Sequence, residues 1–202
     1  MIIRKQYKFE NAHVVRNCYS ERCKYSIHGH SYIIEVFLKA DKLDNAGMIV
    51  DFGVLKNEVS CLIDSFDHCI SVWDQDTPEY RSFVKEYSER YIELPISPSA
   101  ENMAFMLFVF IDAIIRNTKL HNGEAPIELN SVRVHETATG YAEFFGTDID
   151  SGNFMDSTDL ICLTKFSDQV ISEWKDPDMI DKLIDQKPFV YTQPEQQVCL
   201  NN

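Results

Sequence analysis

The sequence predicts an α+β domain: an antiparallel four-stranded sheet with two helices packed on one face. Three observations carry this prediction. Apolar and polar residues alternate through Ile3 to Phe9 and again through Tyr32 to Leu38, which is the period of half-buried strands. The period then becomes helical, with Leu55, Val59, Leu62, Ile63 and Phe66 on one stripe and an almost wholly apolar run from Met103 to Ile115. Two more strand patterns follow, Leu129 to Glu136 and Tyr141 to Phe145, so the order reads strand, strand, helix, helix, strand, strand.

Taken in order, the first strand puts Tyr7 and Phe9 on one parity and charged residues on the other. It runs into Asn11-Ala12-His13 and a polar loop through Cys18 and Cys23. The second strand covers His30 to Ala40, and Asp44-Asn45-Ala46-Gly47 is turn chemistry. Strands one and two should therefore pair antiparallel across the long loop. The first helix should end near Asp67-His68. Trp73 to Pro95 is charged and rich in tyrosine, and reads as a loop with room for a short helix. Ser97-Pro98 supplies a helix start, serine as N-cap and proline at the first helical position. That helix should run to about Thr118, apolar nearly all round, as suits burial against a sheet and against another subunit. The last two strands turn at Ala138-Thr139-Gly140. From Asp148 the composition shifts to Asp, Ser and Gln, with a short helix within 177–185. Residues 1–147 thus form the domain, and 148–202 an extension packed on it.

A chain of 202 residues with 45% hydrophobic and 12% aromatic content can build one proper core. The formal net charge of −13 argues against a general binder of nucleic acid or anionic membrane. Locally the balance differs: Arg16, Arg22 and Lys24 surround the cysteine and histidine stretch with only Glu21 against them. That cluster reads either as a small anionic substrate's surroundings or as a solvated loop. Six cysteines, at 18, 23, 61, 69, 162 and 199, show no framework spacing. No signal-peptide core follows Met1, and the apolar run from Met103 to Ile111 is too short for a bilayer. A reducing, cytoplasmic setting is the natural reading.

The chemistry concentrates between Ser20 and Tyr32. His28 and His30 flank Gly29 and share a strand face with Tyr32, Ile34, Val36 and Leu38. Their bland reading is two surface histidines at a strand start. His13, at the end of the first strand, supplies a third imidazole. Three protein ligands and an open fourth position describe a catalytic zinc centre. Further on, Asp67-His68 is either an acid–base pair or a helix C-terminus whose histidine meets the dipole. Glu136 shares a face with Val132 and Val134 and so points inward, where a carboxylate needs a partner; an ion pair with Arg133 is its alternative.

Six motifs stand in one order: F-x-x-A-H (Phe9 to His13), H-G-H (His28 to His30), G-M-x-x-D-F (Gly47 to Phe52), D-H (Asp67-His68), P-S-x-E-N (Pro98 to Asn102) and H-E-T (His135 to Thr137). Together they resemble the 6-pyruvoyltetrahydropterin and 6-carboxytetrahydropterin synthase family, over roughly Ile3 to Gly146. The resemblance implies the T-fold, with subunits joining their sheets into a barrel as trimers or hexamers. It implies zinc (Zn2+) on His13, His28 and His30, with Cys23 as the catalytic base and Asp67 and His68 as the acid–base pair reaching a neighbouring subunit's site. Glu136 would anchor the two-donor edge of a pterin, with Glu101 and Ser99 at further substrate-binding positions. The implied substrate is 7,8-dihydroneopterin triphosphate. Within the family, 6-carboxy-5,6,7,8-tetrahydropterin synthase, the step toward 7-deazaguanine and queuosine, is favoured over the pyruvoyl-forming activity.

One departure stands out. The common family form has three residues between the cysteine and H-G-H, and here Lys24, Tyr25, Ser26 and Ile27 make four. A loop absorbs one extra residue more readily than a ladder. Cys18 and Glu21 are the rival bases, a glutamate serving in a folate-linked branch of the family. A structural zinc module on Cys18, Cys23, His28 and His30 would leave His13 idle. A non-enzymatic pterin binder would not need the Cys and Asp-His groups, and a metal-free pterin aldolase would not need three histidines.

Overall fold

The computed structural model describes residues 1–191, so Cys199 lies outside the described residues. β1 (Ile2–His13) and β2 (His28–Lys39) pair antiparallel in unbroken register, from Ile2 opposite Lys39 to His13 opposite His28. The alternation does what the pattern requires: Phe9 and His13 are buried, as are Tyr32, Ile34, Val36 and Leu38. The intervening loop carries a short helix, α1 (Glu21–Tyr25). After β2 the chain turns where Asp44 Oδ1 accepts the amides of Ala46 and Met48 and Gly47 takes φ 79°, a value that favours glycine. α2 (Glu58–Asp64) follows a 3-10 turn at Val54–Lys56. All five residues of the first helical stripe, Leu55 to Phe66, are buried there.

The stretch read as a loop is mostly regular structure. It holds the end of β3 (Cys69–Trp73), α3 (Pro78–Tyr87) and β4 (Tyr91–Leu94). α3 buries only Val84, so no apolar stripe marks it in the sequence. Its start is nonetheless a serviceable signal, since the Thr77 hydroxyl accepts the Tyr80 amide at 3.3 Å and Pro78 opens the helix. α4 (Ala100–Asn117) begins later than Ser97-Pro98 suggests, because Ser99 is the N-cap and accepts the Asn102 amide at 3.3 Å. The Ser97 carbonyl instead accepts the Asn102 side chain, and the Pro98 carbonyl meets His13.

β5 (Thr118–Lys119), β6 (Glu128–Thr137) and β7 (Gly140–Phe145) follow. β6 pairs antiparallel with β2, and β7 with β6. The expected four-stranded antiparallel sheet is therefore present as β7-β6-β2-β1. β3 extends it by joining β1 in parallel, β4 joins β3 in parallel, and β8 (Lys165–Phe166) closes the row at seven strands. α5 (Ser157–Leu163), α6 (Asp168–Ser172), α7 (Met179–Ile184) and β9 (Phe189–Val190) make up the rest, α7 being the short helix read within 177–185. Leu160, Val170, Trp174, Met179 and Leu183 enter the same core as Phe66 and Phe110. The Trp174 indole N–H also donates to Ser65 Oγ at 2.8 Å.

The helices α2 and α4 cover one face of the sheet. On the opposite face Glu35, only 5% exposed, accepts from Arg4, from Arg133 at 3.3 Å and from His135 at 2.9 Å. Arg133 donates in turn to Glu143 at 2.9 Å. Burial raises the Glu35 carboxyl, but these donors outweigh it and hold the group below its ordinary range. Among the described residues no helix is long and apolar enough to cross a membrane.

Candidate active site

The β1–β2 pair assembles the three histidines. His13 and His28 are directly opposite, and His30 follows on the same face of β2. One nitrogen from each ring lies within 4.8 Å of the others. Gly29 lets the strands close here, since a Cβ at that position would stand 3.1 Å from the Asn11 carbonyl oxygen. The tautomers are set from outside. His13 Nδ1 donates to the Pro98 carbonyl at 2.7 Å, and His28 Nδ1 to the Ser26 carbonyl at 3.0 Å. Each bond leaves the Nε2 lone pair free, the arrangement that metal-ligating histidines favour. His13 Nε2 is buried and has no hydrogen-bond partner. Burial, with smaller contributions from His28 and His30, lowers the His13 pKa to about 4. A neutral imidazole with an unused lone pair is what zinc takes, so the three residues fit the metal that the pattern implies.

Glu136 stands at the mouth of this group. Its Oε1 is 3.6 Å from His13 Nε2 and 3.9 Å from His30 Nε2, both beyond hydrogen-bond length. It accepts instead from the Tyr32 hydroxyl at 3.2 Å. The Arg133 alternative does not occur, because Arg133 points to the other face, toward Glu35 and Glu143. Burial and the Glu136 carboxylate push the Tyr32 phenol far above its ordinary value, so it remains a donor. Its ring meets His30 edge-on, with centroids 5.7 Å apart.

The remaining candidates lie around that centre. Cys23 is half-buried on α1, and Cys18, also half-buried, donates to the Ser20 carbonyl at 3.2 Å. Glu21 is exposed. Cys69 is buried and its thiol is pushed up to about 12, which leaves it inert as a base. Asp67 and His68 form a pair at 2.8 Å on the far side of β1 from β2. There Asp67 accepts the Glu10 amide at 2.8 Å, and the His68 side chain is 77% exposed. Burial raises the Asp67 carboxyl, but the Glu10 amide and the His68 ring hold it below its usual range. Ser99 is occupied as the α4 cap. Glu101 borders a separate recess with Tyr141, Phe144 and Phe154, away from the histidines.

The amino-acid sequence matches the family described as 6-pyruvoyl tetrahydropterin synthase over residues 2–147. The chain belongs to the 6-pyruvoyl tetrahydropterin synthase family. A 6-carboxy-5,6,7,8-tetrahydropterin synthase of Helicobacter pylori (strain J99) is 40% identical over 200 residues, covering 98% of this chain and 100% of the relative. A second, from Helicobacter pylori strain 26695, is 38% identical with the same coverage. Both span the part beyond residue 147, so the C-terminal segment is shared with them although the family match stops before it. Among solved structures, an uncharacterized protein of Wolinella succinogenes superposes with a TM-score of 0.60 at 19% identity, over 72% of this chain and 98% of its own. That likeness supports the fold.

For this member of the 6-pyruvoyl tetrahydropterin synthase family, the sequence does not show the contacts that three contributors make. Tyr32 reads there as one more apolar residue of a core row. The Pro98 carbonyl is a backbone group 85 residues from His13 and has no side-chain signature. Arg16 reads in the sequence as a free positive charge, yet its guanidinium is paired with Asp76 at 2.8 Å, so Arg22 and Lys24 carry the local excess.

Proposed function

We propose that the protein is a zinc-dependent 6-carboxy-5,6,7,8-tetrahydropterin synthase. It would convert 7,8-dihydroneopterin triphosphate and one water to 6-carboxytetrahydropterin, acetaldehyde and triphosphate, on the route to 7-deazaguanines and queuosine. The observation that carries the reading is the placement of Glu136 beside three histidines whose free nitrogens converge. A carboxylate that could accept the two-donor edge of a pterin then stands 3.6–3.9 Å from a group that could hold a metal. The choice of product follows the two Helicobacter pylori relatives, which carry that name across their full length.

Zinc held by His13, His28 and His30 would supply a Lewis acid for the oxygens of the substrate side chain, acidifying the neighbouring C–H bonds. Glu136, steadied by the Tyr32 hydroxyl, would take the pterin's N–H and exocyclic amine and fix the ring. Cys23, as thiolate, would receive the carbon-bound proton. His68, oriented by Asp67, would relay or return a proton. Because that pair lies on the β3 side of β1, across that strand from β2 and outside the three-histidine group, we assign it to the site of a second subunit, in a trimer or hexamer located in the cytoplasm.

The test is direct. Purified, zinc-loaded protein is incubated with dihydroneopterin triphosphate and the products are identified. Release of acetaldehyde with a carboxypterin supports the reading. A pyruvoyl product places the chain on the biopterin-type activity, and a hydroxymethyl product points to Glu21 as the base. His28→Ala protein that keeps full zinc content would remove the metal assignment.

A further inference from the structure

The loop that bears Cys23 has little to hold it. None of the five residues of α1 is buried, and its N-cap Ser20 makes no capping bond with its side chain. Two successive carbonyls, those of Cys23 and Lys24, are nevertheless tied to the chain just past β1. The Cys23 carbonyl accepts the Val15 amide at 3.1 Å. The Lys24 carbonyl accepts Arg16 Nη1 at 2.8 Å. Arg16 itself is fixed, since its Nε donates to Asp76 Oδ2 at 2.8 Å and its guanidinium lies 5.2 Å from the Tyr80 ring centroid. The Asp76 side chain is 2% exposed and its other oxygen accepts the Thr77 amide at 2.7 Å. It therefore stands in the turn that starts α3.

We infer that Arg16, anchored by the buried Asp76, is a positioning residue that holds the Cys23 base in place. The inference rests on the assignment of Cys23 as base in the proposed function. Arginine suits the task because its planar fork donates in two directions at once, here to a carboxylate and a carbonyl. Lysine, with a single ammonium on a flexible stem, has no such fork. Arg16 is not a phosphate ligand on this reading, because Asp76 already offsets its charge. The clamp also explains how the loop accommodates its additional residue: the cysteine is fixed from the β1 side, not by the length of chain leading to His28.

Arg16→Ala, Arg16→Lys and Asp76→Asn are compared with wild type and with Cys23→Ala for zinc content, kcat, KM and the rate at which iodoacetamide alkylates Cys23. Because Arg16→Ala strands a buried carboxylate, the double variant Arg16→Met/Asp76→Asn is included to keep a folded test. The expected result is a kcat lower by roughly 10- to 100-fold, as misplacement of a reacting group by about 1 Å produces. KM and zinc content should stay near wild type, the Cys23 alkylation rate should change, and Arg16→Lys should recover only part of kcat. Losses in the single and double variants should not add, since one unit is being broken. A raised KM with unchanged kcat would make Arg16 a triphosphate contact and overturn the inference. Wild-type kcat and alkylation in the folded double variant would overturn it while leaving the base in place, provided Cys23→Ala is inactive. Full turnover by Cys23→Ala would remove both.

Discussion

His13 makes the metal-free protein sensitive to acid in a way that can be calculated. Its ring is fully buried, and burial lowers its pKa from 6.5 to about 4. In the unfolded chain the same ring titrates near its ordinary value. Below that value the unfolded state binds a proton that the folded state refuses, so stability is intact above about pH 6.5 and is lost as pH falls toward about 4. Between pH 7 and pH 5 the linkage amounts to about 2 kcal/mol. The perturbation is His13→Asn, whose amide N–H₂ can still donate to the Pro98 carbonyl but does not titrate. Urea unfolding of chelator-treated wild type and variant at the two pH values gives the comparison. Wild type should lose about 2 kcal/mol more than the variant on going from pH 7 to pH 5. Equal losses would show that His13 is not the buried neutral imidazole described, and the argument for a preformed zinc ligand would fall with it.

Other outcomes follow from the same geometry. Glu136→Gln replaces an accepting oxygen by a donor facing donors, and should weaken neopterin binding by about 1.5–3 kcal/mol, with zinc content unchanged; titration calorimetry reads the affinity and metal analysis the zinc. Cys23→Ala should retain zinc and pterin binding but lose most turnover, whereas Cys18→Ala and Glu21→Ala remain active; normal turnover in the first and none in the last would reverse the base assignment. Mixing inactive Asp67→Ala and inactive Cys23→Ala chains through unfolding and refolding should restore part of the activity, because some sites would receive an intact half from each; no recovery in mixed oligomers would confine the Asp-His pair to its own chain.

The histidine set, the antiparallel strands and the two principal helices were legible because each has a period. Strands of twelve residues with one buried face, such as β1 and β2, write that period many times over. β3 and β4, of five and four residues, write it barely twice, and α3 hides its single inward residue among charged neighbours. The hydroxyl-Pro helix start is a sound rule that holds at Thr77-Pro78 but not at Ser97-Pro98, where Ser99 is the cap and the Pro98 carbonyl is engaged by His13. The contacts around the candidate site that no sequence pattern marks share a cause. Tyr32 joining Glu136, and Arg16 joining Asp76 to the Lys24 carbonyl, connect residues 104 and 60 positions apart, and nothing local in a sequence records which distant strand will arrive.

The bond between His13 and the Pro98 carbonyl also has a history during synthesis. All three imidazoles leave the ribosome within the first thirty residues, early enough to attract metal as a loose set. The carbonyl that selects the His13 tautomer emerges 85 residues after it. A nascent chain carrying only the β1–β2 hairpin therefore offers ligands without the constraint that orders them, and any ion it captures would be held in exchangeable fashion. Commitment to one metal and one geometry would wait until the segment leading into α4 docks, making cofactor insertion a late checkpoint on folding.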